Sequence, residues 1–178
     1  QPAIRKMLSM GLWMLLAVAP LQALVGDMHG LNTLKHQPAK LAAMEGHFET
    51  RAGAPLILFG WPDMEQERTR YAVEVPKLGS LILHHDVNAQ VTGLKAFRPD
   101  ERPPVAWPFY CFRIMVGMGL IMLAVSWAGN VLRWRGRLET SRWFLWPTFL
   151  AVPSGFVAII AGSVFAIVGM SLVLVYRA

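Results

Sequence analysis

Charge is what this chain lacks over its longest stretches. Residues 7–26 contain no Asp, Glu, Lys or Arg, residues 143–176 contain none, and residues 108–132 contain only Arg113. Over all 178 residues 16% are charged and 54% hydrophobic, a balance more apolar than soluble domains show, and one that argues for a membrane protein. Cysteine is nearly absent as well. Cys111 alone cannot close an intrachain disulfide, and its place at the start of an apolar run reads as a small packing residue. Metal-ligand spacing is also lacking: His29, His36, His47 and the His84–His85 pair form no HExxH or related pattern. The net charge of +6 sits largely beside apolar segments and comes with no nucleic-acid-reading motif, so nucleic acid is not an expected partner.

What is present is three apolar runs around one polar segment. A bilayer core takes about 20 apolar residues in a helix. The pattern predicts transmembrane helices at 7–26, 108–132 and 143–176. As one straight helix the last would reach roughly 50 Å at about 1.5 Å per residue, and Pro147, Pro153 and Gly155 predict that it kinks, tilts or breaks. The fold class expected is therefore all-α integral membrane, with about three transmembrane helices and a large, partly structured outer loop. Arg5 and Lys6 before the first run also fit a secretory signal peptide, although Gln22–Asp27 offer no small-x-small cleavage site. Gln1 is not an initiator residue, and the expectation is a segment of a longer protein.

Basic residues set the orientation. Arg5 and Lys6 precede the first run, while Arg133, Arg135, Arg137 and Arg142 lie in the basic loop 133–142 between the second and third. Retention of Lys and Arg inside places both regions in the cytoplasm and the whole of 27–107 outside, where nine Lys/Arg and ten Asp/Glu nearly cancel. Tryptophans 13, 107, 127, 134, 143 and 146 lie mostly toward the ends of these runs, as interfacial rings do.

A loop as long as 27–107 is functional or partly disordered. Order is expected in a short helix over Lys40–Glu49 and in strands at "APLILFG" (54–60), "YAVEV" (71–75) and "GSLILHHDV" (79–87). "FRPDERPP" (97–104) reads as an exposed return to the bilayer. Within "QPAKLAAMEGHFET" (37–50), Lys40 and Glu45 lie about 140° apart around a helix, so they would flank a ligand rather than pair; alternatively they are solvated charges on a loop helix. Met115 by itself reads as gap-filling core, and Arg113 as an intramembrane cation that needs a partner or an interface. Asp27 and His29 read as a polar cluster at a helix end, or as part of a ligand entrance.

"GDMHG" (26–30), "KLAAMEGHFET" (40–50), "LFGWPD" (58–63) and "FYCFRIMVGMG" (109–119) together resemble subunit I of the cytochrome bd-type quinol oxidases, in order and spacing, over most of residues 7–165. The short loop resembles the branch without the long insertion, which includes cyanide-insensitive oxidases. The resemblance implies a bacterial inner-membrane protein with 27–107 periplasmic. It implies that Lys40 and Glu45 serve a quinol, ubiquinol or another, and that Met115 is an axial ligand of the iron of haem b558, with Arg113 near that haem. The opposing haem ligands belong to N-terminal helices this chain lacks, and a second oxidase subunit is the implied partner. Haems b595 and d are expected for the family, yet Ile167 stands where a glutamate haem ligand belongs, and an alkyl side chain neither ligates iron nor relays a proton. Two functions are implied: the quinol-oxidising, electron-input part of a quinol:oxygen oxidoreductase, or a degenerate membrane subunit that keeps a quinone-binding loop.

Overall fold

A computed structural model describes residues 2–138 and 140–175. Its elements in chain order are α1 (Pro2–His36), α2 (Pro38–Glu45), β1 (Arg51–Ala52), β2 (Leu56–Asp63), β3 (Arg68–Val75), α3 (Leu78–His84), β4 (Gln90–Val91), α4 (Ala106–Trp134), α5 (Arg142–Leu150) and α6 (Ser154–Val175), with short 3-10 turns at Leu94–Ala96 and Pro99–Glu101. Among the described residues, three helical segments are long and apolar enough to cross a membrane: Ala3–His36, Pro99–Trp134 and Arg142–Val168. The chain is a mostly helical membrane protein.

The residues divide into two compact units. One is built from the chain up to Gly26 together with Ile114–Ile160. Its helices show large apolar side chains on the outside, including Met7, Met10, Met14, Leu21, Leu120 and Ile159, as lipid-facing helices do. Inside it, buried Asn130 donates from Nδ2 to the carbonyls of Leu12 (3.2 Å) and Ser126 (2.9 Å). Gly129 lies so close to the Leu12 and Phe144 side chains that a Cβ there would fall 2.6 Å from Leu12 Cδ2. The third apolar run is broken: α5 ends at Leu150, three turn residues come next, and α6 starts immediately after Pro153.

The second unit contains Asp27–Arg113 and the chain from Ala161. Helix α1 continues ten residues past Gly26 to His36. It stops there because Pro38 drives the preceding residue out of the α region: Gln37 has φ −139° and ψ 61°. Pro38 itself opens α2, where the missing N–H costs nothing. Strands β2 and β3 form an antiparallel hairpin from Leu56↔Val75 to Asp63↔Arg68, with two register shifts. Asp63 Oδ1 closes its turn by accepting the N–H groups of Glu65 and Gln66, both at 3.0 Å. Strands β1 and β4 make a second small pair, Arg51↔Val91 and Ala52↔Gln90.

The strand expected over 79–87 is instead helix α3 with a turn after it. Leu81–Ile82–Leu83 is a short apolar run whose periodicity cannot separate strand from helix. The helical solution buries Gly79, Ser80 and Leu83 together. Ser80 Oγ accepts the Ala54 N–H (2.7 Å) and donates to the Ala89 carbonyl (2.8 Å), tying α3 to two neighbouring loops. The core of this unit has two patches. Ala42, Ala43, Phe48, Ile57, Leu94, Val105 and Phe109 form one. Leu41, Met44, Ala54, Leu83 and Val91 form the other, with Leu34, Phe112 and Phe165 packed against it. Both draw on α2, which is therefore the central element of the loop.

Candidate functional site

Helix α2 carries both charged residues of the loop motif, and its C-terminal cap fixes the path of the next residues. Gly46 is left-handed at φ 73°, and its N–H and that of His47 bond back to the carbonyls of Ala43 (3.2 Å) and Ala42 (3.0 Å). A Cβ at this glycine would also lie 2.7 Å from the Phe109 ring. The cap turns the chain so that Glu45 and His47, on either side of Gly46, are both buried, at 4% and 7% exposed. Thr69 Oγ1 donates to the Gly46 carbonyl at 2.8 Å and holds the turn against β3.

Arg113 is the centre of this arrangement. Its Nε donates to the Ile57 carbonyl at 2.8 Å, and Nη2 donates to the same oxygen. Nη1 donates to the carbonyls of Met44 (2.7 Å) and Phe109 (3.2 Å), and Nη2 also reaches the Glu45 carbonyl at 3.3 Å. The guanidinium carbon lies 3.6 Å from the centroid of the Phe109 ring. The cation of α4 is thus spread over backbone oxygens of β2, of α4 itself and of the C-terminus of α2, where a positive charge complements the helix dipole.

The Glu45 carboxylate lies 3.9 Å from Arg113 Nη2, within charge attraction but beyond hydrogen-bond range. Its Oε2 is buried with no hydrogen-bond partner among the described residues. Burial pushes its pKa above the usual carboxylate range, and the Arg113 charge offsets only part of that rise. Lys40, on the same helix, is half-buried, with Nζ 4.7 Å from the centroid of the Phe165 ring; burial lowers its pKa. Lys40 and Glu45 therefore meet different partners, Phe165 and Arg113.

His47 is the residue that sequence reasoning misses, because spacing tests it only as a metal ligand. Burial, then the charges of Arg113 and Arg51, lowers its pKa from 6.5 to about 4, while a hydrogen bond to the Pro55 backbone opposes the shift. The ring is neutral at pH 7, and its Nε2 has no partner among the described residues. The available signal is Gly46: a glycine cap after an apolar α2 turns the next side chain inward. A recess of about 120 Å³ lies beside it, with Gly46, His47, Arg51, Glu67, Thr69 and Glu74 in its wall.

Met115 lies two residues beyond Arg113 on α4 and is half-buried. Among the described residues no three His, Cys, Asp or Glu side chains gather into a metal site. Asp27 Oδ2 lies 3.6 Å from His85 Nε2 within the helix-and-loop unit, and Thr33 Oγ1 donates to the His29 carbonyl. Ile167 is on α6, 62% exposed.

Comparison with known proteins identifies the family. Residues 1–177 match the family described as cytochrome bd terminal oxidase subunit I. The cytochrome bd ubiquinol oxidase subunit 1 of Bacillus subtilis (strain 168) is 30% identical over 82% of this chain and 33% of its own length. The cytochrome bd-II ubiquinol oxidase subunit 1 of Escherichia coli (strain K12) is 28% identical over 78% of this chain and 40% of its own. Among solved structures, the bd oxidase from Geobacillus thermodenitrificans aligns with TM-score 0.65 at 34% identity, covering 88% of this chain and 40% of that one. The chain thus spans about a third to two-fifths of the relatives it matches, and it belongs to the cytochrome bd terminal oxidase subunit I family.

Proposed function

We propose that this chain is the quinol-oxidising, electron-input segment of a cytochrome bd-type quinol oxidase of the bacterial inner membrane, with residues 27–107 on the periplasmic side and the arginines at 133–142 in the cytoplasm. The observation that carries the reading is a buried carboxylate with a free oxygen: Glu45 Oε2, held next to Arg113 at the end of α2. A quinol that gives up two electrons must also lose two protons. Glu45 takes one of them: a quinol O–H bond breaks and an O–H bond forms at Oε2. Its raised pKa brings its basicity nearer to neutral pH, where a general base works best. Lys40 supplies an ammonium that can orient the second quinol oxygen and offset developing negative charge.

Met115 would hold the iron of a low-spin haem, b558 by resemblance, because a thioether is a soft, neutral iron ligand. Helices of the full-length subunit outside this chain would supply the other residues that hold it. When bound, that haem supplies the acceptor for the quinol's electrons. Arg113 joins α4, which carries Met115, to the quinol loop through the carbonyls of Met44, Glu45 and Ile57. A second subunit is the partner the whole oxidase requires.

The test uses the full-length subunit in its assembled oxidase. Met115→Leu should abolish the low-spin b-type absorption. Glu45→Gln should slow quinol oxidation and leave that absorption intact. Unchanged absorption in the first variant, or unchanged turnover in the second, refutes the assignment. Ile167 favours a second reading, a non-catalytic subunit that keeps only the quinone loop, since an alkyl group can supply no ligand for oxygen chemistry. Oxygen uptake with quinol decides between them.

A further inference from the structure

Quinol oxidation releases two protons, and the loop offers a second acceptor besides Glu45. His47 is 7% exposed, and its Nε2 has no partner among the described residues. An unpartnered buried polar atom is costly, and its persistence marks a position worth a functional explanation. The hydrogen bond to the Pro55 backbone carbonyl needs a ring N–H, and since Nε2 is unpartnered that N–H is on Nδ1. Nε2 is then the lone-pair nitrogen. The ring also forms part of the wall of the polar recess bounded by Arg51, Glu67 and Glu74, whose volume of about 120 Å³ is ample for several waters. One imidazole therefore has a shielded basic nitrogen on a residue that borders water.

We propose that His47 is a proton relay of the quinol-oxidising loop, accepting at Nε2 the proton that Glu45 does not take and passing it to water in the adjoining recess. This rests on the quinol reading above. In the first step a quinol O–H bond breaks and an N–H bond forms at Nε2, while the electrons leave for a ferric haem acceptor. In the second the ring turns to bring Nε2 to the recess, the same proton passes from Nε2 to water there, and the neutral ring is restored. The charges that face the ring are Arg113 from α4 and Arg51 from β1, both cationic, with Glu49, Glu67, Arg68 and Glu74 around the recess. Two cations nearby keep the imidazolium short-lived, so the ring is empty when the next proton arrives and does not hold it. With the pKa at about 4, roughly one molecule in 10³ is protonated at pH 7.

The experiment compares wild type, His47→Gln, His47→Ala and Glu45→Gln in the assembled oxidase, with the low-spin haem band confirming assembly. Two donors are used: a water-soluble quinol, and an aromatic diamine that gives single electrons with no hydroxyl proton. His47→Gln should lower kcat with quinol at least tenfold, at the modest end of the about 10²–10⁴-fold typical of proton-transfer groups. The quinol KM should stay within about twofold, the D2O effect on kcat should grow, and diamine oxidation should be unaffected. Added imidazole should partly restore His47→Ala. Wild-type kcat and D2O effect in His47→Gln overturn the relay, as does an equal loss with both donors, which would mark a structural role. If His47→Gln is impaired and Glu45→Gln is not, the relay stands and the assignment of Glu45 falls. If neither variant differs from wild type with quinol, the quinol reading falls and the relay with it.

Discussion

Replacing Arg113 with methionine should free α2 and β2 from α4. The magnitude comes from the acceptors it serves. The Met44 and Ile57 carbonyls belong to residues 5% and 4% exposed, and both take charged hydrogen bonds from the guanidinium. Methionine replaces the aliphatic stem of the side chain but donates nothing. Each buried carbonyl left unsatisfied costs about 1–3 kcal/mol, so the pair costs about 2–6 kcal/mol. The bond to the Phe109 carbonyl adds little, since that group lies inside α4. Glu45 also loses the cation beside it and would hold its proton more tightly. Lysine keeps the charge, but one compact ammonium cannot span Met44 and Ile57 as the planar fork does, so Arg113→Lys should fall between. Hydrogen exchange at the amides of α2 and β2 reads the effect directly: 2 kcal/mol is about thirtyfold less protection. Met115→Leu, two residues along the same helix, should leave that protection alone and remove the low-spin haem absorption. Protection within about threefold of wild type in Arg113→Met would refute the claim that this side chain docks the loop.

The remaining predictions concern pH and one buried hydroxyl. His47 has a folded pKa of about 4 against 6.5 unfolded, so the unfolded chain binds more protons between those values. The stability from burying the neutral ring is complete above pH 6.5 and is lost as pH falls toward 4, about 3 kcal/mol in all. Glu45 slopes the other way, because its pKa is raised: its protonated form is favoured, and stability falls as pH rises from 4.5 through its folded pKa. Hydrogen exchange of the loop between pH 6.5 and 4 should show loosening that His47→Gln removes and Glu45→Gln steepens; parallel curves for His47→Gln and wild type would contradict it. Ser80→Ala orphans the buried Ala54 N–H, while the Ala89 carbonyl keeps the Gly53 N–H, which should cost about 1–3 kcal/mol. Limited proteolysis between residues 77 and 93 should quicken accordingly, and an unchanged cutting rate would contradict it.

Much of this architecture is written in local chemistry. Uncharged runs announce the long helices, and Pro38 alone accounts for the end of α1 and the start of α2. The hairpin is visible as two alternating stretches around a turn that Asp63 closes. Where sequence and structure part, the deciding contact is distant along the chain. Residues 78–84 become helical because Ser80 finds the backbone of Ala54, 26 positions away, and no periodicity encodes that. Arg113 reads in sequence as a cation that needs a partner or an interface, but which partners it has, carbonyls 56 and 69 residues upstream, only the fold reveals. Spacing detects clusters of ligands and is blind to a single base such as His47, made unusual by burial. Its low pKa arises from that burial and from Arg113 and Arg51, which come near only because Gly46 ends α2 at the Phe109 ring. The residues with chemistry to do in this loop are thus recognised less by their type than by the backbone that surrounds them. That explains why a carboxylate, an imidazole and a guanidinium, each ordinary in the sequence, become two buried groups with unpartnered atoms beside a cation once α2 is docked on α4.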